Sequence, residues 1–261
     1  MKEKFLFGLL GLLVCMFTMT ACSNDDDDNT NNGTTSEVKL ASMEWGNGNK
    51  INYIYDEQGR IKKLSYYYGE KDSTIYDYTY QDNKIVVEKT ENGYKSIMTE
   101  YTLNNGLIVE ALGKSKFAYD KDRQLVSRIE EIGGTTSETS INWKDGNIES
   151  CTTKESSRFE SGSKTCTYQY TSESAAKGFP VDDFGIAVWG NQEKILFKLG
   201  YFGKQPKNLL SAVHSSSEYG NYSNSYDYTY SYGFEGKAGY LSSCIIKSNG
   251  SSEKVVKYTW E

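Results

Sequence analysis

The sequence predicts an all-β protein: a long antiparallel up-and-down meander forming one strongly curved, barrel-like sheet. Three observations predict it. An aromatic-x-aromatic strand, a polar turn and an aliphatic return strand recur along the chain. Tyr is used 22 times and Pro only twice, a mix that suits a pleated, half-buried surface better than a helix. Asn92-Gly93, Asn105-Gly106 and Asp145-Gly146 supply the positive φ that tight hairpins require.

The unit is clearest at Ile51 to Leu64, INYIYDEQGRIKKL. Tyr53 and Tyr55 share one face of an outgoing strand, Asp56 to Arg60 turn the chain, and Ile61 and Leu64 lead back. Tyr78-Thr79-Tyr80 repeats it towards Ile85, and Tyr101-Thr102-Leu103 towards Leu107. Phe117-Ala118-Tyr119 leads to Leu125, and Ile141-Asn142-Trp143 to Ile148. Tyr168-Gln169-Tyr170 opens a copy whose return is displaced by an insertion, and Tyr228-Thr229-Tyr230 leads to Tyr240 and Leu241. Tightly joined strands are antiparallel neighbours, so about 14 to 16 strands follow. A sheet of that size curls or closes; the repeat alone leaves open whether it closes fully.

The N-terminal residues are an address. Lys2 and Lys4 precede an apolar run from Phe5 to Phe17, the pattern of a secretory signal over residues 1–21. Met19-Thr20-Ala21-Cys22 resembles a bacterial lipobox. The resemblance implies diacylation of Cys22, cleavage just before it, and a membrane anchored through that residue. Acyl chains contribute about 0.8 kcal/mol per buried methylene. The stretch Ser23 to Asp28 resembles the acidic signal that sends some lipoproteins to the cell surface; the alternative is a solvated spacer on a periplasm-facing protein. Residues 22–36 read as a flexible acidic tether, and 37–261 as a single β-meander domain.

One region breaks the rhythm. Between Ser172 and Leu210 strand alternation disappears, and an apolar insertion near 180–205 takes its place. Asn191 to Leu199 reads as a short helix with Gly200 and Gly203 beyond its end. An insertion this apolar plugs or covers the curved sheet. Trp189, Phe197, Tyr201 and Phe202 are its candidate ligand-contacting residues.

The lipobox, the hairpin copies and the insertion together resemble a family of secreted lipoproteins of gut bacteria, classed as a domain of unknown function with a porin-like fold. Trp189 to Asn208 and the stretch YDYTYSYGFEGKAGYLSSCIIK at 226–247 carry most of the likeness. Where that family tends to have Pro this chain has Leu210, which puts the turn there in question. The resemblance implies a barrel-like shape and a lipid ligand, and supplies no catalytic residues. Single hairpins also resemble the tyrosine-aspartate repeats of toxin shells.

Composition and spacing narrow the chemistry. A net charge of −6 without a basic patch argues against nucleic acid as a partner. His214 beside Ser215 to Ser217 has no nucleophile elbow or matched acid, and Asp182-Asp183 on a strand point to opposite faces. No ligand spacing suggests a metal, and no cofactor is expected. Cys151 and Cys166 are expected on paired strands, where a disulfide in the oxidising envelope and buried thiols are the two readings. The tyrosine rows suit core packing, each aromatic burying about 150–250 Å². A lipid-facing barrel would need a continuous apolar outer face, whereas Asp77, Thr79, Asp227 and Thr229 occupy the face opposite the tyrosines. The expected protein is a monomeric, non-enzymatic outer-membrane lipoprotein that binds an apolar or amphipathic ligand. A surface glycan-binding module and a purely structural protein are the alternatives.

Overall fold

The computed structural model describes residues 38–69, 72–157, 161–178, 191–235, 239–249 and 252–261. Cys22, the tether, Asp182-Asp183 and Trp189 lie outside the described residues. The first eight strands are β1 (Leu40–Trp45), β2 (Asn49–Tyr55), β3 (Ile61–Tyr68), β4 (Asp72–Gln81), β5 (Lys84–Glu91), β6 (Tyr94–Asn104), β7 (Leu107–Ala111) and β8 (Ser115–Tyr119). The second eight are β9 (Leu125–Ile132), β10 (Thr135–Lys144), β11 (Asn147–Ser156), β12 (Ser161–Ser174), β13 (Asn208–Tyr219), β14 (Tyr222–Gly233), β15 (Ser243–Ser248) and β16 (Lys254–Trp260). One helix, α1 (Asn191–Lys198), and a 3-10 turn, Ala175–Lys177, interrupt the series.

Every strand pairs antiparallel with its sequence neighbours, and β1 pairs with β16, so the meander is a closed barrel. Met43 faces Tyr258 and Trp45 faces Val256 across the closing seam. Beyond the seam, Lys39 and Glu261 exchange N–H···O bonds of 3.0 and 2.9 Å. Closure leaves no unpaired strand edge to template association with another chain.

The two ends of the barrel differ in chemistry. At one end the turns carry acids: Asp56-Glu57, Asp82, Asp120 to Asp122 and Asp145. Asp56 Oδ1 accepts from the N–H groups of Gln58 (3.0 Å) and Arg60 (2.9 Å). Asp120 Oδ1 accepts in the same way from Asp122 and Gln124, both at 2.9 Å. These side chains replace backbone partners within a five-residue turn. At the other end the turns are Asn47-Gly48, Asn92-Gly93, Leu112-Gly113 and Gly133-Gly134. We call these the acidic end and the glycine end.

The aromatic at the close of six outgoing strands acts as a clamp at the acidic end. Tyr55, Tyr80, Tyr119 and Tyr232 donate their hydroxyls to the carbonyls of Leu40, Ile61, Ile108 and Leu210, at 2.6 to 3.0 Å. Trp143 and Trp260 donate indole N–H to Leu125 and Leu241 at 2.8 and 2.6 Å. The accepting residue lies at or within two residues of the start of the neighbouring strand. β-Bulges at Ile54/Tyr55, Ala118/Tyr119 and Asn142/Trp143 sit beside three of these clamps. The motif Ile51 to Leu64 is therefore a device for tying successive turns together.

Inside the barrel Tyr53, Tyr66, Tyr78, Tyr101, Tyr168, Tyr230 and Tyr258 are buried beside Ile51, Leu64, Ile85, Val213 and Val256. Core packing, the expected role of the tyrosine rows, is what these seven do. Outside, Thr79, Thr102, Ser140, Thr229 and Ser231 are exposed. Polar pairs cross the outer wall between directly opposed residues: ion pairs Lys63–Asp77 at 3.2 Å and Lys50–Glu44 at 2.8 Å, and a hydrogen bond between His214 Nδ1 and Asp227 Oδ1 at 2.7 Å. A charged side chain at mid-membrane depth costs about 2–4 kcal/mol in a lipid-facing wall. The described outer wall is therefore chemically suited to water.

Cys151 and Cys166 are directly opposed in the β11–β12 register, 2% and 1% exposed, and stand as thiols. Opposed antiparallel residues have Cα atoms about 4.5–5.5 Å apart, within the range a disulfide spans. Refolding in a glutathione redox pair is expected to join them. Intact mass after alkylation in denaturant, with and without prior reduction, reads the bond; identical masses rule it out.

Candidate functional site

The insertion between β12 and β13 returns into the lumen as a plug. Glu193 lies in the first turn of α1 and Lys198 in the last, the arrangement the helix dipole favours. Gly200, at φ 82°, ends the helix. Its N–H bonds to Phe197 O and that of Tyr201 to Leu196 O, both at 2.9 Å, the paired bonds of a glycine-terminated helix. Ile195, Leu196, Phe197 and Phe202 are at most 1% exposed. Phe202 packs edge-to-face on Phe117 (5.1 Å between centroids) and Tyr101 (6.2 Å).

Main-chain hydrogen bonds fasten the plug to three turns of the acidic end. Ile108 N–H donates to Tyr201 O at 2.8 Å, Lys204 N–H to Arg123 O at 2.9 Å, and Lys207 N–H to Gly146 O at 2.9 Å. Arg123 holds φ at 63°, a left-handed conformation that L-residues adopt at a cost of about 1–2 kcal/mol. Nearer the glycine end, Tyr78 donates its hydroxyl to Gln192 O at 3.0 Å and Tyr101 to Glu193 Oε1 at 3.1 Å.

Phe197 and Phe202, expected to touch a ligand, are 1% and 0% exposed and pack in the core. Tyr201 is half-buried, 5.9 Å from the Tyr80 ring at the acidic end. His214 and Ser215 do not converge: His214 lies on the outer wall, whereas Ser215 is buried. The His214 bond to Asp227 holds that carboxyl below its usual range. Burial pushes the Cys244 thiol up to about 12, which keeps it protonated and unreactive. Among the described residues no group of three or more His, Cys, Asp or Glu side chains is placed to hold a metal.

A cavity of about 310 Å³ lies above the helix N-terminus, towards the glycine end. Its floor is polar: Tyr101, Gln192, Glu193, Arg128 and Glu130. Its lip is formed by Leu112 and Ile132, which are 50% and 55% exposed, with the exposed Lys114 beside them. Arg128 is buried and pairs with Glu130 at 2.7 Å, and Ser115 Oγ donates to the same Glu130 oxygen at 2.9 Å. The Arg128 guanidinium lies 5.7 Å from the Phe117 ring centre, which backs it with an aromatic face. Burial first, and then the Glu193 carboxylate, hold the Tyr101 phenol well above its usual range, so it remains a donor.

Leu112 holds φ at 52°. Asn and Gly adopt that conformation readily, and a bulky aliphatic side chain does not. Strain of this kind collects at functional sites, and here it falls on the lip. The site was not legible beforehand because its parts come from β6 to β9 and from α1, about 60 to 90 residues later by sequence. Arg128, in the alternating stretch SRIEE, was the one available signal: a cation on the inward face of a strand.

Comparison with known proteins agrees with this architecture. The family model for a domain of unknown function (DUF4595) with porin-like fold matches residues 53–243. A porin-like protein from Bacteroides vulgatus ATCC 8482 superposes with a TM-score of 0.60 at 10% identity, covering 85% of this chain and 98% of that one. A porin-like protein from Bacteroides uniformis ATCC 8492 gives 0.57 at 17% identity, with the same coverage. At these identities the likeness is one of fold. No curated protein matches the chain. With most of its length matched and its closed antiparallel barrel in place, the chain belongs to the family of domains of unknown function with a porin-like fold.

Proposed function

We propose that the protein is a non-enzymatic envelope lipoprotein, anchored through Cys22, that binds a small amphipathic molecule at the open mouth of its plugged barrel. The observation that carries this reading is the cavity's division into a charged floor and a lip where Leu112 and Ile132 present exposed apolar side chains beside Lys114. Two cations, Lys114 and Arg128, and two acids, Glu130 and Glu193, line it. Formal charge is balanced, so a neutral or zwitterionic head group fits better than a simple ion. At about 310 Å³ the space lies at the small end of ligand pockets, about 300–1,000 Å³, and suits one head group or short chain rather than a whole two-chain lipid.

Residues 38–261 form a compact unit by themselves, with barrel and core complete. Native mass spectrometry of this unit with decanoate and dodecylphosphocholine tests the reading. A one-to-one adduct with dodecylphosphocholine is expected. Leu112→Asn removes the lip side chain while suiting the left-handed backbone, so the variant is expected to fold at least as stably. A partly buried apolar contact contributes about 1.5 kcal/mol, so affinity should fall roughly tenfold. No adduct with either amphiphile, or an affinity unmoved by Leu112→Asn, would sink the reading.

A further inference from the structure

We infer that the glycine end of the barrel is a docking face for a lipid bilayer surface. Eleven large apolar side chains are exposed among the described residues, and ten lie in the half towards this end; Ile54 alone lies in the other half. Five of the six most exposed sit at hairpin tips: Tyr94 and Tyr222 at 80%, Ile132 at 55%, Tyr68 at 51% and Leu112 at 50%; the sixth, Met98 at 51%, lies midway along β6. The opposite end offers charged turns of both signs instead, where Asp56 pairs with Arg60 and Asp122 with Lys121, and Asp82 and Asp145 stand beside Lys84 and Lys144. A barrel indifferent to its surroundings has no reason to divide its two rims in this way.

The occupant follows from the shape of the patch. The apolar tips belong to the β3–β4, β5–β6, β7–β8, β9–β10 and β13–β14 hairpins, so they stand around the rim rather than along a groove. A flat partner meets a rim, whereas a glycan chain follows a track. Tyr is the side chain suited to the boundary between head groups and acyl chains, with an apolar ring and a wet hydroxyl. The cavity mouth, between Leu112 and Ile132, opens within this same face. A bilayer there would therefore be the source of the amphipathic molecule; this last step rests on the cavity reading, and the docking itself does not.

The route of the chain is compatible. β1 begins at the acidic end, so the anchor segment joins the barrel on the side away from the tips. From Cys22 to Glu37 an extended chain reaches about 50 Å. Tilted strands of this length span only about 30 Å, so the anchor permits the glycine end to meet the membrane. Lys89–Glu91 and Lys95–Glu88 pairs (2.9 Å each) mix both signs on the walls beside the tips. Attachment should thus depend on the apolar tips and little on lipid charge or salt.

Sedimentation of residues 38–261 with vesicles of phosphatidylcholine, alone and with phosphatidylglycerol, tests this. Binding to both, retained at high salt, is expected. Tyr94→Ser combined with Tyr222→Ser, at sites too exposed to disturb folding, should lower the partition coefficient about tenfold or more, because interfacial binding scales with buried apolar area. Neither tyrosine lines the cavity, so uptake of dodecylphosphocholine from solution should be unchanged in this variant. Protein that takes up dodecylphosphocholine yet stays in the supernatant with every vesicle overturns the docking face and spares the cavity. Protein that sediments but takes up no amphiphile supports the face and removes the cavity reading. Vesicle binding unaltered by the double variant overturns the inference, as does self-association through these tyrosines, or their capture by a glycan array, without vesicle binding.

Discussion

Gly203→Ala is expected to destabilise the barrel by about 3 kcal/mol or more, through a contact of one added methyl group. Gly203 holds φ at 86°, and a Cβ there would stand 2.3 Å from the Arg123 carbonyl oxygen and 3.2 Å from the Tyr119 ring. The oxygen belongs to the backbone and already accepts from Lys204 N–H at 2.9 Å, so it cannot step aside without releasing the plug. Left-handed strain accounts for about 1–2 kcal/mol, and loss of the fastening for the rest. Gly200 is the matched control. Its φ is 82° and nothing lies within 4 Å of its Cβ position, so Gly200→Ala should cost only about 1 kcal/mol. Urea unfolding with unchanged slope measures both. Equal midpoints for the two variants would show that the plug is not held at Arg123.

Phe202→Ala is expected to cost about 3–5 kcal/mol, the range for emptying a buried aromatic site. Phe202 is fully buried, with edge-to-face contacts to Phe117 and Tyr101. The loss should reach beyond stability. Phe117 touches both Phe202 and the Arg128 guanidinium, so a loosened Phe117 should also weaken dodecylphosphocholine uptake at the cavity. A ligand-contacting role would give a different signature: unchanged unfolding with lost binding. Thermal unfolding together with native mass spectrometry separates the two.

The sequence states the repeat, and the repeat dictates a great deal. Tyr53-x-Tyr55 followed by Asp56 forces a strand and an Asx-type turn because each preference is local: alternation of faces, positive φ at glycine, a carboxylate over two N–H groups. The same reasoning places the short helix at Asn191–Lys198, where Gly200 marks its end. Plugging by the insertion was also legible, since so apolar a segment must be covered. Its side chains misled for the same reason. Phe197 and Phe202 look like binding residues and are spent on the core, because apolarity says that a ring is buried and not by what.

The cavity lay beyond such reasoning. Its floor joins Tyr101 and Arg128 to Glu193, and its lip joins Leu112 to Ile132, through pairings set only when the barrel closes. The division of the exposed side chains between two rims is equally a product of register, since hairpin tips far apart in sequence become neighbours on one circle. Sequence by itself determined the strands, the turns and the plug, all of which depend on neighbours a few residues away. Tertiary structure decided closure, the burial of the plug, the strained Leu112 lip and the two unlike ends. Each of these depends on which distant backbones are brought within hydrogen-bonding distance, and that is settled by the free energy of the whole closed sheet.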